Sequence, residues 1–456
     1  MGEIVVQILA GEDLYIDHRS ELGGSRILFE ALKRGDITVY PEYSGTLIFE
    51  LLGLKSIPSE PELDRILDEL GLARTRPLGF NNTYALGMQK KVAEARNIRR
   101  ISDLRKHSDL IFGLGHEFLE RKDGWPGLSR RYGLEPQQLL GLDHDLGYQG
   151  LIQGKTQVID IYSTDAEIAM YDLSVIEDDL AYFPKYEAMY LYRRDASPRA
   201  IQLIRSLSGK ISASDMISMN QAAKVDGEFA ALIANKFVSS KFENKKVLPV
   251  TKKSLSDEIV LRGLEHLYLV GVSLLAAVCI SLPLGYIAAR RAAIGSVILA
   301  GTGILQTIPS LALLVLMIPF FGIGVFPAIA ALFVYSLLPI LRGTCFGFQT
   351  ALKGSLDTIT ILNLRPFFAF RRVLLPLALP SILNGIKIAI VLNIGTATLG
   401  AIIGAGGYGQ LIIKGIRLDS LEFILAGAIP AAFLAVVAQV LCSLLEKKLV
   451  SPGLSI

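Results

Sequence analysis

The chain has 456 residues, of which 51% are hydrophobic and 20% charged, and its mean hydropathy is +0.44. That is too apolar for a soluble protein and too polar for one made only of membrane segments, and two unlike halves satisfy both numbers. The formal net charge of +3 is small and the basic residues are spread along the chain, which excludes a nucleic-acid stripe and suggests no polyanionic partner.

In chain order, the first 240 residues alternate short apolar strands with amphipathic helices. Ser25 to Arg34 has helical spacing, Asp36 to Tyr40 reads as a strand, and Glu60 to Leu70 is again helical. Leu110 to Leu114 and Gln157 to Tyr162 are strand-like, and Arg199 to Leu207 is helical. An α/β sheet domain over residues 1–241 follows. It contains no cysteine, because Cys279, Cys345 and Cys442 all lie in or beside later apolar segments. A disulfide-stapled domain is thereby excluded, and an ordinary core suffices at this size.

A lysine-bearing stretch with Pro249 then runs from about Lys241 to Ser254, and residues 242–260 are assigned to a linker. The remainder, 261–450, reads as an all-α polytopic membrane domain. Its apolar stretches are Tyr268 to Ala289, Gly295 to Phe321, Pro327 to Leu341, Ile382 to Ile403 and Phe423 to Leu445. Five crossings, with Gly295 to Phe321 as one long or bent span, put Arg290, Arg291, the loop from Arg342 to Arg372, and Lys447 with Lys448 on one face. That face is cytoplasmic by the positive-inside rule, and the N-terminal domain is extracytoplasmic. Lys245, Lys246, Lys252 and Lys253 fall against this assignment; a six-crossing count, split at Pro309, would place Arg371 outside, and five is preferred. Pro283, Pro309, Pro319, Pro339 and Pro380 interrupt or edge the helices, and Gly395, Gly400 and Gly404 suggest close helix approach. Lys387, inside the fourth crossing, either faces a pathway or snorkels to the interface.

Two weak motifs carry no function. Asp143-His144-Asp145 reads as a solvated loop rather than a metal site. Gly154-Lys155-Thr156 lacks the glycine register of a phosphate-binding loop and reads as a coincidence.

The stretch Leu22-Gly-Gly-Ser-Arg through Val39-Tyr-Pro-Glu-Tyr-Ser-Gly-Thr46 closely resembles the glycine betaine/carnitine/choline class of substrate-binding proteins of ABC importers. Phe80-Asn-Asn-Thr-Tyr84, Glu117 to Trp125, Tyr162-Ser-Thr-Asp165 and Phe183-Pro-Lys-Tyr186 agree in the same order. The membrane half is similar to that family's permease in Gln306-Thr-Ile-Pro-Ser310, Leu375-Pro-Leu-Ala-Leu-Pro380, Asn393 to Leu399 and Ile403-Gly-Ala-Gly-Gly-Tyr408. The resemblance implies a two-lobed α/β domain of the periplasmic-binding-protein type (type II), its second lobe about 84–182, fused to the permease.

It also implies a cage of tyrosines around a quaternary ammonium solute, because a methylated cation donates no strong hydrogen bond and is held by aromatic faces. With 16 tyrosines in the chain, a single one is usually a packing residue, so the candidates rest on motif position. They are Tyr43, Tyr84, Tyr162 and Tyr186, with Tyr182 as a competitor for the last place and Thr46 as a hydroxyl donor to a solute carboxylate. Asp165 is expected to anchor a turn.

The same family's permeases dock a separate ATPase through a cytoplasmic loop. Aligned on Pro376, that loop carries Asp357, Asn363 where glycine is expected, and Arg365, Arg371 and Arg372 beside three phenylalanines. It is a degenerate version of the pattern, and a coupling helix is favoured over a plain basic loop. Against the family, the chain opens at the helix that follows a first strand and without an export signal, so the expectation is an N-terminally truncated receptor, with the true start upstream or the gene damaged.

The function expected is a fused receptor and permease subunit of an ABC importer in the cytoplasmic (inner) membrane, not an enzyme, with glycine betaine or a similar compatible solute as cargo. Choline, carnitine or ergothioneine is the alternative cargo, and a sensor with a non-transporting membrane part is the alternative class. Expected partners are an ATPase subunit carrying the ATP, a second copy of the permease and the lipid bilayer; no metal, nucleic acid or cofactor is expected on this chain.

Overall fold

A computed structural model describes residues 1–450 apart from 11, 13, 21, 243–246, 248–253 and 419. Two compact units follow one another, the first made mostly of residues before about 252 and the second mostly of residues after it.

The first unit holds two sheets. Helix α1 (Gly2–Leu9) and α2 (Ser25–Arg34) precede strand β1 (Val39–Tyr43). In α2, Phe29 and Leu32 are buried, and the helix stops where Gly35 takes a left-handed φ of 86° after Lys33 and Arg34, whose charges suit a helix C-terminus. The strand expected at Asp36 to Tyr40 therefore begins three residues later, because Asp36 to Thr38 complete the turn out of α2. Helix α3 (Glu60–Glu69), started by Glu60-Pro61 and seated through Leu63 and Leu67, leads to β2 (Leu72–Arg74). Strand β8 (Ala188–Arg193), far along the chain, lies between β1 and β2 and pairs antiparallel with both. Pro41 is tolerated because β1 is an edge strand.

Between β2 and β8 the chain builds the second lobe. Its sheet has β3 (Tyr84–Gln89), β4 (Ile111–Gly115), β5 (Gln138–Leu142), β6 (Val158–Tyr162) and β7 (Leu173–Ile176) in the order β5-β4-β6-β3-β7. Strands β5, β4 and β6 run parallel, and β3 is antiparallel to its neighbours β6 and β7. Residues 80–83 lead into this lobe and 183–187 lead out, tied by Asn82 N–H to Tyr186 O (3.0 Å) and Ala188 N–H to Phe80 O (3.1 Å). Helix α4 (His144–Ile152) packs on the second sheet, and α5 (Ala213–Lys224) follows β8. Gly147 and Gly150 lie within α4, so no phosphate loop forms there.

The second unit starts earlier than the apolar pattern suggests. Helix α6 (Leu255–Arg290) opens on a Ser254/Asp257 capping box, so residues 255–260, assigned above to the linker, are helical. Most of the rest of that linker lies outside the described residues. Then come α7 (Ala292–Thr307), α8 (Ser310–Phe321), α9 (Val325–Ile361), α10 (Leu375–Ala397) and α11 (Leu421–Leu449). Among the described residues, four helical spans are long and apolar enough to cross a bilayer, five if the pair α7 and α8, bent by 100°, is one span. The bend falls at Pro309, the residue that cannot continue the ladder.

Contacts fix the ends of this bundle. Near the C-terminus of α6, Tyr286 packs on Phe348 (4.9 Å) and Phe370 (5.2 Å), and α7 starts there. The bent pair finishes before Gly324, whose N–H donates to Ile403 O (2.7 Å) beyond the opposite end of α10. The pair thus joins the two ends of the bundle. Helices α9 and α10 cross closely at glycine: a Cβ on Gly343 would meet Ser381 O at 2.4 Å, and one on Gly385 would meet Pro339 O at 2.5 Å. Gly395, expected to serve close approach, has nothing within that reach.

Candidate solute-binding site

Three of the five candidate residues converge on one cross-strand pair. Tyr84 opens β3 and Tyr162 closes β6, and the register sets them directly opposite each other, which puts both rings on one face of the sheet. Their centroids are 4.9 Å apart, and the Tyr162 hydroxyl donates to that of Tyr84 at 3.4 Å. Tyr186, on the segment returning to the first lobe, meets Tyr84 edge-on at 5.5 Å. Its ring lies over Gly45 of the Tyr-Ser-Gly-Thr turn, where a Cβ would sit 2.4 Å from it. Tyr182 is not part of this group; its hydroxyl donates to Gly124 O (3.1 Å) and its ring packs on Phe183.

The two asparagines of Phe80-Asn-Asn-Thr-Tyr84 explain the motif. Asn81 Oδ1 accepts from Tyr186 N–H (2.6 Å), and Asn82 Oδ1 accepts from the Thr164 hydroxyl (2.7 Å) in the turn after Tyr162. One segment thus places both neighbours of Tyr84. Tyr43 is set apart, half-buried between the cores of the two lobes with its ring edge-on to Phe80 at 6.4 Å. Burial pushes the hydroxyls of Tyr84 and Tyr43 up to about 12, and those of Tyr162 and Tyr186 are raised by burial as well. All four rings stay neutral at physiological pH.

Several residues in this cluster were passed over by the sequence reading although they lie in the quoted blocks. Phe118 (4.9 Å) and Phe183 (6.3 Å) extend the aromatic surface around Tyr84. Arg121 is buried, with its guanidinium carbon 5.6 Å from the Tyr84 centroid. It donates to both oxygens of Asp123 (2.9 and 2.7 Å) and across the cleft to Thr46 Oγ1 (3.3 Å), which brings Thr46 to the cluster as an acceptor. Asp123 also accepts from the Tyr186 hydroxyl (2.7 Å). Glu42, inward on β1, is 2% exposed and accepts from Tyr43 N–H (2.8 Å) and the Tyr40 hydroxyl (3.1 Å). Burial lifts its carboxyl to about 7 against those hydrogen bonds.

Beneath Tyr162 the structure corrects the reading of Asp143-His144-Asp145. Asp143 caps α4, and His144 is no solvated loop residue. Its ring lies 4.4 Å from that of Tyr162, its Nδ1 3.3 Å from Asp160 and its Nε2 3.1 Å from Asp165. Burial opposes the charge, but the two carboxylates outweigh it and hold the imidazolium up to about 10. Asp165 anchors its turn, accepting from Tyr162 N–H (2.8 Å) and the Tyr148 hydroxyl (2.6 Å). The signal was Asp160 itself, a carboxylate in the middle of the apolar strand Val-Ile-Asp-Ile-Tyr, which needs a buried partner. Among the described residues no group of histidine, cysteine or acidic side chains has metal-ligand geometry.

In the second unit, Asp357 lies near the end of α9 and Asn363 has a φ of +45°, the left-handed conformation that asparagine tolerates best after glycine. The turn is therefore made in the place where glycine was expected. A short helix, Pro366–Ala369, follows Arg365 and runs through Arg371 and Arg372 into α10 at Pro376. Phe367 and Phe368 are exposed, whereas Phe370 is turned into the bundle.

Comparison with known proteins decides the family. The model described as the substrate binding domain of ABC-type glycine betaine transport systems matches residues 1–240, and that of the binding-protein-dependent transport system inner membrane component matches 281–451. The chain belongs to the glycine betaine-type substrate-binding family. This family member is fused to its permease: it is similar to the choline transport system permease OpuBB of Bacillus subtilis, 38% identical over 197 residues, which are 43% of this chain and 91% of that protein. The osmoprotectant import permease OsmW of Salmonella typhimurium is 38% identical over 195 residues, 42% of this chain and 91% of that one. The ergothioneine transport permease/ergothioneine binding protein EgtU of Helicobacter pylori is 31% identical over 246 residues, 52% of this chain and 44% of that one. This fused receptor and permease is thus a multi-pass inner-membrane component of an ABC importer, a class that works with an ATPase subunit.

Proposed function

We propose that the receptor unit captures a quaternary ammonium solute such as glycine betaine in the tyrosine cluster, outside the membrane, and that the same chain's permease passes it inward over five crossings. The observation that carries the reading is the convergence of the Tyr162, Tyr186 and Phe118 rings on Tyr84 at 4.9 to 5.5 Å between centroids, because several aromatic faces together attract a methylated cation that donates no strong hydrogen bond. Tyr84, Tyr162 and Tyr186 are its cation seat, Tyr43 closes the first-lobe side, and Thr46 with Arg121 meets a solute carboxylate. Choline, carnitine and ergothioneine share the trimethylammonium group and are the competing cargoes. The loop with Asp357, Asn363, Arg365, Arg371, Arg372 and Pro376 engages an ATPase through exposed Phe367 and Phe368, ATP resides on that subunit, and two copies of the permease complete the pathway. The basic residues at the end of the bundle that carries this loop make it cytoplasmic.

The test is equilibrium binding of labelled glycine betaine, choline, carnitine and ergothioneine to the full chain in lipid nanodiscs, then uptake in cells with and without the ATPase. Saturable binding of at least one, competed by the others, and ATP-dependent uptake are expected. Binding of none of the four sinks the cage; binding without uptake makes the chain a sensor.

A further inference from the structure

Two backbone segments connect the lobes, Arg121 donates across the cleft to Thr46, and a further tie is made by the side chains of one helix. Helix α5 belongs to the first lobe: a Ser212/Asp215 capping box starts it, Met216 is buried in the first-lobe core, and Asp215 pairs with Lys241 (3.1 Å). Further along the same helix, at successive four-residue steps, Asn220 and Lys224 point to the second lobe. Asn220 Nδ2 donates to Thr164 O (2.9 Å). Lys224 Nζ donates to Asp145 Oδ1 (2.8 Å) and to Glu167, whose side chain is 8% exposed.

The three receiving residues lie within two positions of the groups under Tyr162. Asp145 follows His144, whose ring lies against the Tyr162 ring. Thr164 precedes Asp165 and Glu167 lies two residues after it, and Asp165 accepts from both His144 and Tyr162 N–H. Helix α5 therefore grips the two short segments that bracket one cage tyrosine, and it does so from the lobe that carries Tyr43 and Thr46.

We propose that Asn220 and Lys224 form a clamp between the lobes that positions Tyr162 against Tyr84 and so sets solute affinity. The proposal rests on the cage reading. Lys224 is a positioning residue, since the backbone crossings and the Arg121–Thr46 bond (3.3 Å) tie the lobes near Tyr84, and the clamp adds a separate attachment beside the segments under Tyr162. Without Lys224, Asp145 and the buried Glu167 carboxylate face each other with no cation between them, and the segments under Tyr162 move apart.

The experiment uses the full chain in nanodiscs with glycine betaine and choline as probes and 3,3-dimethyl-1-butanol as the uncharged isostere of choline. Lys224→Met is expected to weaken both quaternary ammonium probes by about tenfold, equal to about 1.4 kcal/mol, and to weaken the neutral isostere less, because a ring turned from face to edge loses its attraction for a cation while keeping apolar contact. Lys224→Arg restores affinity to within about threefold, and Asn220→Ala costs about threefold. Nitroxide pairs at exposed Glu62 and Lys106, one in each lobe, report lobe geometry without any ligand and show a broader distance distribution in Lys224→Met.

Unchanged affinity and unchanged distances in Lys224→Met overturn the clamp, as does an equal loss for cation and isostere. If Lys224→Met does not fold, Asn220→Ala is read by the same arms. Failure of the cage itself is distinct, since the unaltered chain then binds no quaternary ammonium probe while the distance change in Lys224→Met persists.

Discussion

Tyr84 is the centre of the cluster, and two substitutions there separate its ring from its hydroxyl. Tyr84→Ala removes a side chain that is 4% exposed and touches Phe118, Tyr162 and Tyr186 at 4.9 to 5.5 Å between centroids. The stability cost is about 3 kcal/mol, the usual range for a buried aromatic truncated to alanine. The separate loss to a bound cation is about 2 kcal/mol for a desolvated ring face, or roughly thirtyfold in affinity. Tyr84→Phe keeps every ring contact and gives up the hydroxyl that accepts from Tyr162 at 3.4 Å, a long bond worth less than about 1 kcal/mol. Calorimetric titration of the full chain in nanodiscs, run well below the midpoints of thermal melts of the same samples, measures both effects. If Tyr84→Ala binds like the unaltered chain, or if Tyr84→Phe is as weak as Tyr84→Ala, the ring is not the cation seat and the reasoning fails.

Further outcomes follow from other sites. The unfolded chain loses the Glu42 proton near 4.5 and the folded one near 7, so the native state binds more protons between and the receptor unit loses stability as pH rises through that window, by about 3 kcal/mol at most. His144, held up to about 10 against an ordinary 6.5, gives stability fully present below 6.5 and lost as pH rises toward 10. Thermal midpoints against pH should therefore fall twice, with Glu42→Gln flattening the first decline and His144→Gln the second; a flat profile in the unaltered protein refutes both. In the bundle, Asn393 donates to Ser273 (3.1 Å) and Ser336 (2.7 Å), hydroxyls that already donate to their own helices. Asn393→Leu is expected to destabilise the permease by about 1 kcal/mol in a detergent thermal-shift assay, and no change would show that this network adds nothing to helix packing. At Asn363, alanine should cost about 1 kcal/mol and glycine nothing, with ATPase stimulation by solute lowered in the first variant only; equal activity in both would detach the turn from coupling.

The sequence by itself determined the two halves, because a bilayer and an aqueous core demand compositions that one stretch of chain cannot meet together. It located three helices and three strands of the receptor unit through their periodicity, and it singled out Tyr84, Tyr162 and Tyr186 through short motifs, one of which carries the two asparagines that hold the neighbours of Tyr84. It did not reveal Arg121, Asp123 or His144, since a charged residue reads as solvated until the fold removes its water and supplies its partner. Close approach was expected at Gly395 but occurs at Gly343 and Gly385 for a related reason, as only the crossing point of two helices says which glycine meets backbone. Tertiary structure alone decided that Lys224, some sixty residues beyond Tyr162, stands beside the segments beneath that ring. Local pattern encodes which face of an element is apolar. Which distant charges meet there depends on the path of the chain between two lobes, and no window of sequence contains it.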